Sequence, residues 1–258
     1  MDKALRIVSL CPSNTEITHA LGLTESLVGV DDFSDWPPAV RTLPRVGPDQ
    51  SVDIDRVAAL EPDLVLASLS VPGMEKNVEA LAARGLPHIV LDPSGLETIW
   101  ADIQRVADRL GVPERGVQTV AALRARVEAV KAATHRKHKL YWEWWPKPIY
   151  TPGRTNWLTE LSEAVGCTNI FADYDVPNVR VDDPLEVVRR APDVILLAWT
   201  GAKRPDTAHV YRRPGWDVLP AVRDQRVFVM EEGLFNRPSP RLVDGLEHLW
   251  GVIRDIYQ

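Results

Sequence analysis

Two stretches of the chain repeat one pattern of apolar and polar positions. Residues 53–67 read DIDRVAALEPDLVLA and residues 183–197 read DPLEVVRRAPDVILL. Each predicts a short amphipathic helix, a Pro-Asp turn, then an apolar run that reads as a buried parallel strand. The proline stands where a helix must stop, and the aspartate can close the turn. Near the front of each half a strand leads into a helix that ends in glycine, at RIVSLCPSNTEITHALG (6–22) and LYWEWWPKPIYTPGRTNWLTELSEAVG (140–166). In the first of these Ser13 and Glu16 read as a capping box and Gly22 as the helix end. Each half closes with an amphipathic helix. Ser94 and Glu97 are expected to cap a stripe of Leu96, Ile99, Trp100, Ile103, Val106, Ala107 and Leu110; Leu242, Leu246, Leu249, Trp250 and Ile253 form the other. Trp100 and Trp250 are therefore read as core.

Between the halves, residues 113–137 predict one long helix, with Pro113 in its first turn and Val117, Val120, Leu123, Val127 and Val130 on one face. About 22 helical residues extend about 33 Å. The fold class expected is α/β: two lobes, each a mainly parallel sheet flanked by helices, at 1–112 and 138–258, joined by the helix at 113–137, with a cleft between them. Such an internal repeat is the sequence mark of a duplicated unit.

Composition narrows the function. The chain has 258 residues, 45% of them hydrophobic and 26% charged, as in a globular protein, and a net charge of −6 that is a poor footprint for nucleic acid. No apolar run reaches the roughly 20 residues of a membrane span. The basic run at 135–139 reads as a solvated helix end. The N-terminus, MDKALRIVSLCPS, has no export-signal pattern, so the chain as written reads as cytoplasmic. Cys11 and Cys167 match no metal spacing and are expected as reduced, half-buried thiols.

In open parallel sheets ligands bind beyond the carboxyl ends of the strands. Here that selects loops after Leu10, Ala67, Trp145 and Trp199, together with the Pro-rich segments DDFSDWPP and GLFNRPSPR. The segment YWEWWPKPIY sets the question most sharply. Strand alternation places Trp142 and Trp144 on one face and Tyr141, Glu143 and Trp145 on the other, with the strand ending near Trp145 because Pro146 and Pro148 cannot donate ladder bonds. Trp142 is read as core and Trp145 as a ligand residue, with Trp144 open between the two. Large rigid rings suit a broad planar ligand.

RIVSLCPSNTEITHALGL, VGVDDFSDWPP and the helix-PDLVLA unit resemble the substrate-binding proteins of vitamin B12 and iron-siderophore importers, the periplasmic-binding class with one connecting helix. SDWPP, YTPGR with GCTNIF, and FNRPSPR are most similar to the cobalamin-binding branch. The resemblance implies an extracytoplasmic binding component that holds a corrinoid between aromatic side chains, with no catalytic cofactor. It carries over Phe33, Tyr150, Phe235 and Arg237; Trp36, Trp144, Trp145 and Trp199 complete the expected ligand site. Ser68 and Asn178 depart, standing where the family can have tryptophan. It also implies docking of an ABC permease dimer, with its ATPase, through one acid per lobe. Asp55 keeps that acid in the first half; Leu185 replaces it in the second, with Glu186 adjacent.

Other readings stand beside this one. A ferric siderophore or haem is the alternative ligand, for which Arg154, Arg204, Arg212, Arg213 and Arg237 are the available cations. A corrinoid-binding protein that never meets a permease is another. An enzyme is the competing class, but no GxSxG, HExxH, P-loop or GxGxxG motif occurs. His209 as a ligand to a bound metal, and Glu231 with Glu232 as a carboxylate pair, are the remaining chemical candidates.

Overall fold

A computed structural model describes residues 4–134, 137–201 and 205–256. Arg204, and His135 and Arg136 of the basic run, lie outside the described residues. In chain order come β1 (Ile7–Ser9), α1 (Pro12–Ala20), β2 (Leu27–Val30), α2 (Ile54–Ala59), β3 (Leu64–Ser68), α3 (Glu75–Ala83), β4 (His88–Leu91), α4 (Leu96–Arg109) and α5 (Pro113–Ala132). There follow β5 (Lys139–Glu143), β6 (Trp145–Pro146), β7 (Ile149–Pro152), α6 (Trp157–Ala164), β8 (Thr168–Asn169), β9 (Asn178–Val181), α7 (Leu185–Arg190) and β10 (Val194–Leu197). The chain ends with α8 (Ala208–Tyr211), α9 (Pro220–Arg223), β11 (Val227–Val229), α10 (Glu232–Phe235) and α11 (Leu242–Ile256).

The chain divides into two units. One comprises Met1–Pro93, Glu97–Ala122 and Pro238–Pro240; the other comprises Ser94–Leu96, Leu123–Arg237 and Arg241–Gln258, so the division falls inside α5. The first unit holds a parallel sheet in the order β2-β1-β3-β4. The second holds β11-β10-β5-β8, also parallel, and a separate antiparallel sheet, β6-β7-β9. Read from β8, the second parallel sheet repeats the order of the first.

The repeated Pro-Asp turns have the same job in both sheets, and it is not local. The Asp63 amide donates to the Arg6 carbonyl at 2.8 Å, and its carboxylate accepts the Arg6 amide at 2.9 Å. Asp193 does the same to Lys139, at 2.8 Å in each direction. Each aspartate thus fastens the start of its own strand to the start of the neighbouring one, β1 or β5, and sets the parallel register. The glycine helix ends form as expected. Gly22 and Gly166 both have φ near +71°, and the residue after each donates back to Thr18 or Ser162, closing the helix in a left-handed cap.

Two local expectations are corrected, at the start of α1 and along α5. Helix α1 begins at Pro12 with Cys11 as its cap and no side-chain cap bond, because Ser13 turns to the Cys11 sulfur at 3.2 Å and buried Glu16 accepts the Ser239 hydroxyl at 2.5 Å. At the start of α4 the Leu96 amide is met by Glu160 of α6 at 2.8 Å. Along α5, which ends at Ala132, Leu123, Val127 and Val130 are buried but Val117 is 61% exposed. Gly116 faces inward instead, where a Cβ would come within 2.6 Å of Ala107 on α4; the bare backbone lets the two helices approach.

Each unit has its own apolar cluster, around Val8, Val57, Val65 and Leu81 in the first and around Tyr141, Phe171, Ile195 and Trp216 in the second. Trp100 is core, 4% exposed, and Trp250 is half-buried beneath the Arg254 guanidinium. Both cysteines are fully rather than half-buried, at 2% and 3% exposure. Burial pushes the Cys11 thiol up to about 12 and the Cys167 thiol to about 11. A thiol that cannot ionise is a poor nucleophile. At about pH 8, where an ordinary free thiol reacts, dithionitrobenzoate titration of the native chain should release no thionitrobenzoate from either cysteine, and unfolding in guanidinium should expose both.

Candidate functional site

The carboxyl ends of β5 and β10 in the second unit are organised by one buried carboxylate. Glu143, the last residue of β5, has no exposed surface. Its two oxygens accept four hydrogen bonds: from Arg213 at 2.5 and 2.7 Å, from the Tyr141 hydroxyl at 2.8 Å and from the Trp199 indole N–H at 3.0 Å. A lone buried carboxylate is costly; a bidentate guanidinium and two neutral donors satisfy it. Burial, then the Glu143 charge, push the Tyr141 phenol well above its ordinary range, so it remains a donor. Burial opposes the charge on Arg213, but its bonds to Glu143 win and raise its pKa. Arg213 also lies 4.5 Å over the Trp216 ring. The network fixes the indole plane of half-buried Trp199, against whose ring His209 stands edge-on at 5.7 Å.

The predicted strand to Trp145 is corrected. β5 stops at Glu143, the chain bends at Trp144, and Trp145 opens a hairpin in the antiparallel sheet. Prolines do not end the strand there; they shape the turn that returns it. Register then places Trp145 opposite Tyr150, and Tyr150 opposite Arg180. The alternate residues Ile149, Thr151, Val179 and Val181 are buried. The row Trp145, Tyr150, Arg180 therefore forms the outward face of this sheet. Trp145 is 46% exposed, with its indole N–H held by the Lys147 carbonyl at 2.9 Å.

The neighbouring tryptophans divide. Trp142 is core, its indole N–H donated to Ser162 at 2.9 Å. Trp144 is half-buried and stacked on Trp157 at 5.9 Å, and its indole nitrogen has no hydrogen-bond partner among the described residues. Phe235 is corrected: it is fully buried, with its ring 5.3 Å from Trp142 and 6.3 Å from His248, and offers a ligand no surface. In place of a side chain, that segment supplies its carbonyl to the Trp157 indole at 2.8 Å. Arg237 is half-buried beside Gly233. Arg154 is paired with Asp175, and Glu231 with Arg241 at 3.6 Å.

In the first unit a second buried carboxylate plays the same part. Asp31 accepts the Ser34 hydroxyl at 2.5 Å and the Phe33 amide at 2.8 Å, and Arg45 holds the carbonyls of Asp31 and Ser34, both at 2.7 Å. Ser34 continues through Thr15 to Ser9, so the loop after β2 is tied to the end of β1. That clamp presents Phe33, 53% exposed. Trp36 is half-buried, edge-on to His19 with ring centroids 4.6 Å apart. Burial depresses the His19 pKa, so the packing partner is a neutral imidazole. Ser68, at the end of β3, is buried and bonded to Ser70. The proposed permease acids differ in availability. Asp55 is 82% exposed and paired with Arg84, whereas Glu186 accepts from Arg190 and from the Tyr174 hydroxyl.

Sequence reasoning missed Glu143 and Asp31. Each reads as an ordinary polar position, and the one signal was a charged residue inside the apolar run at the end of a buried strand. Replacing Glu143 by Gln leaves Arg213 buried without its counter-charge. Unfolding in urea should show a loss of about 3–5 kcal/mol, as for other broken buried pairs; a loss under about 1 kcal/mol would contradict the network.

Comparison with known proteins follows the same lines. The family model described as "Periplasmic binding protein" matches residues 7–234. The vitamin B12-binding protein of Vibrio cholerae serotype O1 is 31% identical over 251 residues, covering 95% of this chain and 88% of that protein. The crystal structure of the periplasmic vitamin B12-binding protein of Vibrio cholerae superposes with a TM-score of 0.81 at 28% identity, over 98% of both chains. The apo periplasmic haem-binding protein RhuT of Roseiflexus sp. RS-1 shares the fold, with a TM-score of 0.85 at 24% identity over 99% of this chain and 100% of that one. Among the described residues no helix is long and apolar enough to cross a membrane. Fold, exposed aromatic loops at the strand ends and sequence kinship agree: the chain belongs to the periplasmic binding protein family, a family of substrate-binding rather than catalytic proteins.

Proposed function

We propose that the protein binds a corrinoid as the binding component of an ABC importer. The observation that carries this reading is the outward row of Trp145 and Tyr150, with Trp199 of the same unit held by Glu143, in a chain whose curated relatives are vitamin B12-binding proteins. Flat rings fixed from behind offer contact area without ordering cost, which suits the broad face of a neutral corrin. In the second unit Trp145, Tyr150 and Trp199 are the ligand residues we propose, joined by the half-buried ring of Trp144, and in the first unit, taken by itself, Phe33 and Trp36 are the candidates. Arg237 we place at the margin. A haem is the second reading, favoured by Arg180 next to Tyr150 in the same row: a phenol and a guanidinium suit an iron and a carboxylate.

Calorimetric titration with cyanocobalamin, haemin and a ferric hydroxamate separates these ligands. Saturable binding of cyanocobalamin alone is expected, and tight haemin binding without it would replace the first reading by the second. Trp145→Ala should weaken cyanocobalamin binding by about 1–3 kcal/mol with Tm nearly unchanged, since the ring is half exposed. An unchanged affinity with a large loss of Tm would mark it as a packing residue.

For the permease we propose Asp55 as the docking carboxylate. Glu186, already engaged by Arg190, contributes little, and Leu185 in the family's acid position is 46% exposed. Asp55→Lys should weaken capture of the binding protein by its detergent-solubilised permease complex about tenfold or more, or about 1.4 kcal/mol per decade. Glu186→Gln should leave capture nearly unchanged while lowering Tm. Equal loss in both variants would assign docking to both acids.

A further inference from the structure

We propose that the second unit carries a separate pocket for a small amphipathic anion, set between the β6–β7 turn, the end of β9 and the segment around α8. The cavity there measures about 690 Å³, within the roughly 300–1,000 Å³ of small-molecule sites, and none of the residues proposed above for the corrinoid lines it. Its walls are built by four prolines, at 146, 148, 184 and 214, over a floor of Ile149 and Val181 from the sheet. Prolines hold their backbone rigid and donate no hydrogen bond, so they form a stiff apolar wall. Leu185 extends that wall outward, 46% exposed.

Charge at the cavity is one-sided. Lys147, Arg180, Arg212 and Arg213 line it, against the single carboxylate of Asp182. Arg213 is committed to Glu143, but the others are not held strongly. Arg180 pairs with Asp182 and Arg212 with Asp206, both as solvent-exposed pairs. Exposed pairs of this kind contribute about 0–1 kcal/mol, so a ligand anion can recruit either guanidinium at little cost. Lys147 has no carboxylate partner among the described residues. His209, also in the wall, has its pKa depressed first by burial and then by Arg213, with Glu143 opposing and Lys147 and Arg212 adding smaller depressions. A carboxylate, sulfonate or phosphate on an apolar body would place its charge on Lys147 and Arg212 and its body along the prolines and Leu185.

The test uses the full chain and two fluorescent probes of one shape, anionic 1-anilinonaphthalene-8-sulfonate and its uncharged parent N-phenyl-1-naphthylamine. The sulfonate should bind saturably at one site, and the uncharged probe at least tenfold more weakly. The double variant Lys147→Glu, Arg212→Glu changes two solvent-facing side chains, and its unchanged circular dichroism melt will confirm folding. It should lose sulfonate binding by tenfold or more while Trp145→Ala retains it. Equal binding of the two probes, or sulfonate binding untouched by the charge reversal, overturns the proposal. Cyanocobalamin affinity of the double variant, measured by calorimetry, should equal that of the parent; a parallel loss would make the cavity part of the corrinoid site and end its independence. Should the parent bind no cyanocobalamin at all, the corrinoid reading falls, and the probe comparison still decides the pocket.

Discussion

The second unit is arranged around a carboxylate taken out of water. An isolated ion in such a place is penalised by several kcal/mol even after the protein relaxes, so a buried Glu143 is compatible with folding only if its donors arrive with it. They come from far apart in the chain: Arg213 is 70 residues away and Trp199 56. Once they are in place, much else follows. The guanidinium draws the α8 segment onto the sheet, the Tyr141 hydroxyl is locked inward, and the Trp199 indole can take only one plane. The backbone past Glu143 then leaves the parallel sheet at Trp144, whose amide and carbonyl bond to Tyr150 and Thr200, and the hairpin that carries Trp145 outward begins.

The first unit solves the same problem with a different acid. Asp31 lies just past β2 rather than at the end of the central strand, and its carboxylate accepts from the Ser34 hydroxyl and the Phe33 amide. The result is alike: an aromatic loop beyond the carboxyl edge of a parallel sheet, held from beneath by a buried acidic side chain. At the opposite edge, Asp63 and Asp193 align neighbouring strands through matched pairs of bonds. Each sheet is thus pinned at one end by a repeated aspartate and decorated at the other by a loop that its own carboxylate orders.

The features legible in the sequence were those set by local period and backbone conformation. The repeated helix-turn-strand succession, the glycine helix ends and the buried stripe of α4 are written in period and backbone preference over a few residues, although the aspartates of the repeat bond to a neighbouring strand rather than to their own turn. What escaped was decided over distance. Glu16 looked like half of a capping box because its spacing from Ser13 fits, yet its partner Ser239 lies 223 residues on. Val117 belonged to the stripe by periodicity, but Gly116 allowed a closer helix approach and turned the buried face by one residue. Phe235 was aromatic where an aromatic was expected, and only packing against Trp142 removes it from the surface. In the aromatic segment Trp142 is core as expected, but Tyr141 and Glu143 are buried with it and Trp145 belongs to a different sheet; the hairpin between Trp145 and Tyr150 was missed, since prolines that forbid a central strand are compatible with an edge hairpin.

The two halves share a plan but not a surface. Arg190 collects Asp173, Glu186 and the Ile170 carbonyl while lying over the rings of Phe171 and Tyr174, so α7 is clamped to the loop before β9 through Glu186. A carboxylate so engaged can be offered to a partner's arginine only by giving up bonds of similar worth, which leaves little net attraction. Asp55 faces only the exposed Arg84 pair, whose loss is cheap beside a new partner's guanidinium. Beside Glu186, which internal bonds hold, Leu185 presents an apolar side chain to a cavity lined by Lys147, Arg180, Arg212 and Arg213 against one carboxylate, Asp182.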